Sequence, residues 1–109
     1  MRDDALARNE VLLREVNEQI DAVSLAFPAA DPAMEFLCEC DRVDCRKPVN
    51  ATRAEYEAVR AEPTHFIVLP EHNDPRVVHV VSSNERFLVV EKDGEAARVA
   101  EESDPRDPP

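Results

Sequence analysis

The chain has 109 residues, 24 acidic against 13 basic, for a formal net charge of −11, with no tryptophan and a single glycine. This length suits one small domain with extensions, whose modest core a metal staple would supplement. The lack of any basic stretch removes the electrostatic basis for binding nucleic acid or an anionic membrane surface. No apolar run reaches the roughly 20 residues of a membrane span.

The opening residues MRDDALARNE contain no apolar signal core, so a cytoplasmic protein is expected. Leu6, Asn9, Leu13, Val16, Ile20, Val23 and Phe27 alternate at spacings of three and four. That pattern predicts an N-terminal helix with an a/d seam, capped by Asp3 or Asp4 and stopped near Pro28. The seam can pack on the chain's own domain or pair with a second copy. A homodimer through residues 1–27 is therefore expected as one outcome, with Asn9 as a register-setting polar residue.

Residues 28–34 read as a proline-rich hinge. Glu35 to Cys40 then reads as a short strand, and Lys47 to Asn50 as its return, an edge strand because Pro48 cannot donate to a ladder. Thr52-Arg53-Ala54-Glu55 has the form of a capping box and starts a helix to about Ala61, ahead of Pro63. Three apolar strands follow, at 65–69, 77–81 and 86–91. Their polar connections predict an antiparallel meander. From Asp93 the chain is acidic and proline-rich, with at most a weak helix over 95–102, and a disordered tail over 93–109 is expected. The organisation is thus a helix over 1–27, an α+β domain over 28–92, and that tail.

Chemistry concentrates in Cys38-Glu39-Cys40 and Cys45. Residues two apart in an extended strand share a face, with Cα atoms about 7 Å apart. That is at the limit for a disulfide and suits two sulfurs sharing one ion. Three soft thiolates favour Zn2+. Arg42, Arg46 and Lys47 can offset the site's negative charge. For the closing ligand, His72 lies in a loop free to reach back. His65 at a strand start, His79 within a strand, Asp41 and Asp44 remain alternatives. Three buried free thiols, or a redox switch built on them, are the competing readings of the cluster.

A catalytic zinc needs an open position and a general base. The H-x-E and H-E-x-x-H patterns are both absent, and one glycine leaves no phosphate loop or nucleophile elbow. No enzyme is expected.

Glu35-Phe36-Leu37-Cys38-Glu39-Cys40, Cys45, the Thr52–Arg60 segment TRAEYEAVR and the Pro63–Asn73 segment PTHFIVLPEHN together resemble a family of small uncharacterised bacterial proteins. Those proteins share an N-terminal helix, a C-x-C with a third cysteine, an AEYE-type helix and a histidine after a strand. The resemblance spans nearly the whole chain and implies Cys38, Cys40, Cys45 and His72 as the shared positions. It also implies a glycine after the second cysteine and another before the histidine, where this chain carries Asp41 and Glu71. The expected protein is an α+β zinc-binding module without catalysis, acting through contacts with another protein. A thiol or metal redox sensor is the alternative.

Overall fold

The structure is a computed structural model, and it describes residues 2–24, 33–40, 45–72, 78–92, 94–104 and 106. Most of the proline-rich hinge, the Asp41–Asp44 turn, Phe27 and residues 107–109 lie outside the described residues. The fold is mixed α+β, with three helices and two small antiparallel sheets among the described residues.

Helix α1 spans Arg2–Ser24. It already begins at Arg2, so Asp3 and Asp4 lie within the helix and not at its cap. Strands β1 (Ala33–Leu37) and β2 (Pro48–Thr52) form a two-stranded antiparallel sheet in which Phe36 faces Val49. The loop between these strands carries all three cysteines. β1 ends at Leu37, short of the expected Cys40. Past that point the backbone is shared between two neighbours: Cys38 N–H donates to Lys47 O at 3.0 Å, and Glu39 N–H donates to Ile67 O at 2.8 Å.

Helix α2 (Arg53–Arg60) starts where the capping box predicts. Glu55 N–H donates to Thr52 Oγ1 at 3.1 Å, and Thr52 N–H donates to Glu55 Oε1 at 2.8 Å. These reciprocal bonds satisfy two orphan donors of the first turn. Tyr56 on this helix stacks on Phe36 with ring centroids 4.5 Å apart, joining α2 to the first sheet.

Strands β3 (His65–Val68), β4 (Val78–Ser83) and β5 (Leu88–Lys92) make the second sheet. Every pairing is antiparallel, as expected, but the order is β3-β5-β4 and not that of a meander. The reason is the path after β3. The chain turns toward the cysteine loop, with Leu69 N–H against Cys38 Sγ at 3.2 Å and His72 N–H donating to Leu69 O. It therefore does not reverse beside β3. The central place falls to β5, whose Val89 and Val90 are buried.

Helix α3 (Gly94–Glu102) stands where the weak helix over 95–102 was expected, so order extends past residue 93, where the tail was expected to begin. Val99 and Ala100 are buried, and Ala100 O accepts from the Arg14 guanidinium of α1 at 2.8 Å. Two buried apolar residues and a cross-chain anchor supply what the weak local propensity lacks.

The docking face of α1 is the main departure from the heptad pattern. Glu10, Arg14, Asn17 and Asp21 are buried, at spacings of four, three and four. Leu13 of the expected seam is buried as well, while Val16 and Val23 are exposed. Arg14 is fully buried, donates to Pro63 O at 2.7 Å and lies over the Phe66 ring at 4.8 Å. Lys92 pairs with Glu10 beside the same ring. The helix is held by a polar stripe whose every member finds a specific partner, which is the condition for burying such groups.

Candidate metal centre

Two connections deliver the four ligands: the β1–β2 loop brings Cys38, Cys40 and Cys45, and the chain leaving β3 brings His72. One ligand atom from each of these residues lies within 4.8 Å of all the others. His72 Nδ1 is 3.6 Å from Cys38 Sγ and 3.6 Å from Cys45 Sγ. A tetrahedral zinc with bonds of about 2.3 Å to sulfur and about 2.05 Å to nitrogen requires a sulfur–nitrogen edge of about 3.6 Å. The equal distances to two sulfurs fit a centre shared among these side chains. These four residues form a group that could hold a metal ion.

All three cysteines are buried and unbridged. Hydrogen bonding to Cys40, together with burial, pushes the Cys38 thiol far above the ordinary thiol range, and the Leu69 N–H pulls weakly the other way. A cation among the sulfurs reverses that balance, because coordination deprotonates thiols.

The other two histidines sit elsewhere. His65 lies on β3, with Nε2 3.4 Å from Glu91 Oε2. His79 lies exposed on β4, opposite Glu91. Asp41, Asp44 and Arg42 are outside the described residues. Arg46 folds back to donate to its neighbouring Cys45 carbonyl at 2.7 Å, and Lys47 is exposed.

Behind the cysteines lies a feature that the sequence pattern did not flag. Glu39 alternates with Cys38 and Cys40, so its side chain leaves on the opposite side and is completely buried. Its Oε1 accepts from Ile67 N–H at 2.9 Å, and its Oε2 accepts from Asn17 Nδ2 at 2.8 Å. Asn17 also grips Leu37, two residues before Glu39, like a neighbouring strand. Leu37 N–H donates to Asn17 Oδ1 at 2.7 Å, and Asn17 Nδ2 donates to Leu37 O at 2.8 Å. Burial raises the Glu39 carboxyl to about 7, against the hydrogen bonds from Asn17 and Ile67, which lower it. Glu39 and Asn17 thus tie the cysteine loop to β3 and α1. The available signal was the polar stripe 10-14-17-21, which a search for apolar periodicity passes over.

Glu71, immediately before His72, has φ of 71°. That is the left-handed region glycine enters without strain, at the position where the resemblance implies a glycine. The turn gives His72 its direction toward the sulfurs.

No protein-family model matches the chain, and no curated protein or solved structure matches it.

Proposed function

We propose that Cys38, Cys40, Cys45 and His72 hold a structural zinc ion, and that the protein is a non-catalytic zinc-binding module acting through contacts with other proteins. One observation carries this reading: the imidazole nitrogen stands 3.6 Å from two sulfurs within a four-residue cluster. Zinc bound there supplies folding free energy, since it adds a cross-link between two connections that the hydrogen bonds of Glu39 already bring together.

The same ligand set argues against catalysis. Three thiolates and an imidazole fill a tetrahedral shell and leave no position for water. The donated charge also weakens the Lewis acidity that metal-assisted hydrolysis needs. Free buried thiols suit a reducing compartment such as the cytoplasm. None of the described helices is long and apolar enough to cross a membrane. Self-association through residues 1–27 fits the outer face of α1, where Leu12, Val16 and Val23 are exposed. Leu12→Lys with Val16→Lys removes that apolar face, so light scattering on this double variant reads whether it pairs two chains.

Elemental analysis tests the metal directly. Protein purified without added metal should carry about one zinc per chain, as four protein ligands to one ion require. His72→Ala should release zinc to a chelator far more readily than His79→Ala. Absence of zinc removes the site, and equal behaviour of the two variants removes His72 from it.

A further inference from the structure

Strand β4 stands apart from the rest of the second sheet. It is an edge strand, hydrogen-bonded only to β5 among the described strands. Residues 79–83 are all exposed, including Val80 at 47% and Val81 at 46%. By contrast, β3 and β5 bury most of their side chains. The β4 segment Val78–Ser83 contains no acidic residue, lysine, arginine or proline, so it lacks the side chains that ordinarily guard a sheet edge.

A groove of about 400 Å³ lies between α2 and one face of the second sheet and reaches β4 at Val81 and Ser82. Glu55, Ala58 and Val59 of α2 form one wall, and His65, Val81, Phe87 and Val89 supply much of the rest. A strand edge unpaired among the described strands, with a groove opening beside its face, has the two parts of recognition by strand addition. Main-chain hydrogen bonds supply affinity, and a pocket for alternate side chains supplies selectivity.

The charge around the groove selects the occupant. Glu85 is exposed in the turn after β4, and Glu91 is half exposed toward the other end of β5. Arg86, the cation beside the groove, is held by both oxygens of Glu55, at 2.8 and 2.5 Å. The chain as a whole carries −11. A second copy would bring the same acidic charge and, through one short strand, far less area than the roughly 1,200 Å² of a stable interface. The bulge between Val80 and Ser82 sharpens the local twist and works against indefinite edge-to-edge stacking.

We propose that β4 and the adjoining groove form a docking site for an extended, basic segment of a partner protein, which pairs along Val78–Ser83 and lays an aliphatic side chain against Val81 at the mouth of the groove. This rests on the reading of the protein as a contact-making module and gives that contact a place and a chemistry.

The test uses the full metal-loaded chain, labelled for NMR, with three synthetic peptides as probes. These are the basic KVKVTVK, the acidic EVEVTVE, and KPKPTPK, whose prolines remove half of the peptide N–H donors for pairing. The basic peptide should shift the Val78–Ser83 and Val89 amides saturably. The other two should bind at least about ten-fold more weakly, a difference of about 1.4 kcal/mol. Val81→Asp should remove the binding by a similar factor and leave the melting temperature nearly unchanged, since Val81 is exposed. Shifts spread over the acidic surface and indifferent to Val81→Asp would overturn the proposal. So would equal binding of the acidic or proline peptide, or β4 shifts driven by protein concentration alone, which mean a second copy. Zinc content, measured on the same sample, reads the metal proposal separately: a zinc-loaded chain that ignores the peptides loses only the docking site.

Discussion

Two neighbouring parts of α1 solve the same problem in opposite ways. At Asn17 the helix meets the cysteine loop through an amide and one carboxylate. Every bond there is directed and short. Just beyond, at Glu18 and Asp21, the helix meets α2 and the C-terminal segment through a mesh of ionisable groups. Glu18 takes Arg60 and Arg106, Asp21 lies near Arg53 and Arg106, and Arg60 also pairs with Asp104. The first arrangement fixes position, because an amide that serves both an N–H and a C=O of one residue tolerates little displacement. The second fixes proximity, because Glu18, Asp21, Arg60 and Arg106 share partners, and Arg106 and Glu57, about a third exposed, exchange theirs at small cost. The rigid arrangement lies behind the cysteine–histidine cluster, where a displacement of a few tenths of an ångström would reach the sulfurs.

Asn17→Ala is the strongest way to break this comparison. It leaves the Leu37 N–H and C=O and one Glu39 oxygen buried without a protein partner. At about 1–3 kcal/mol for each orphaned group, partly relieved by relaxation, a loss of about 3–4 kcal/mol is expected. Zinc affinity should fall roughly ten-fold, the usual scale for removing a group that orients metal ligands. Denaturant unfolding of the loaded protein and a competing chelator measure the two effects. A loss below about 1 kcal/mol would mean that the amide bracket is dispensable.

This bracket also marks where sequence reading reaches its limit. Cys38, Cys40, Cys45 and His72 were legible because few residue types offer soft ligands, and strand alternation places the first two on one side. The Thr52–Glu55 box was legible because its chemistry is local. The order β3-β5-β4 was not, since it goes with the contact of Leu69 with the cysteine loop, a tertiary effect without a local signature. The docking face of α1 was misjudged for a related reason. Apolar periodicity names the face that water rejects, while Glu10, Arg14 and Asn17 are buried by partners such as Lys92, Ala100 and Leu37, which lie far along the chain. Order in α3 likewise depends on Arg14 rather than on residues 94–102 alone.

The charged end should reveal itself through pH. Burial, reinforced by the hydrogen bond with Glu57, raises Asp21 to about 7, while hydrogen bonds from Arg106 and Asp21 lower Glu57 to about 2. The pair therefore retains a proton that the unfolded chain releases above its ordinary Asp pKa. Where the folded value lies above the unfolded one for an acid, stability is lost as pH rises through the interval, here from about 4 to about 7. Asp21→Asn offers Glu57 an amide proton at every pH. It should flatten that decline by about 1–2 kcal/mol, less than the full shift implies because Glu57 and Arg106 are near solvent. Melting temperatures at pH 5 and pH 7.5 read the slope, and a slope unchanged by the substitution removes the shared proton.

The smallest effect concerns the residue that aims His72. Glu71 holds φ of 71°, a conformation that costs a residue with a Cβ about 1–2 kcal/mol. Glycine removes that strain but adds about 0.4–1 kcal/mol of unfolded-state entropy. Glu71→Gly should therefore stabilise the loaded protein by only about 0.5 kcal/mol, whereas Glu71→Val, with branching at Cβ, should lower stability by about 1–2 kcal/mol. The pair of variants separates backbone strain from the Glu71 side chain's own interactions, since both remove the carboxylate and only one removes the Cβ. If both destabilise equally, the carboxylate holds the turn. If they diverge, backbone geometry aims the imidazole, and a glycine at this position is favoured for the reason that only glycine enters the turn without strain.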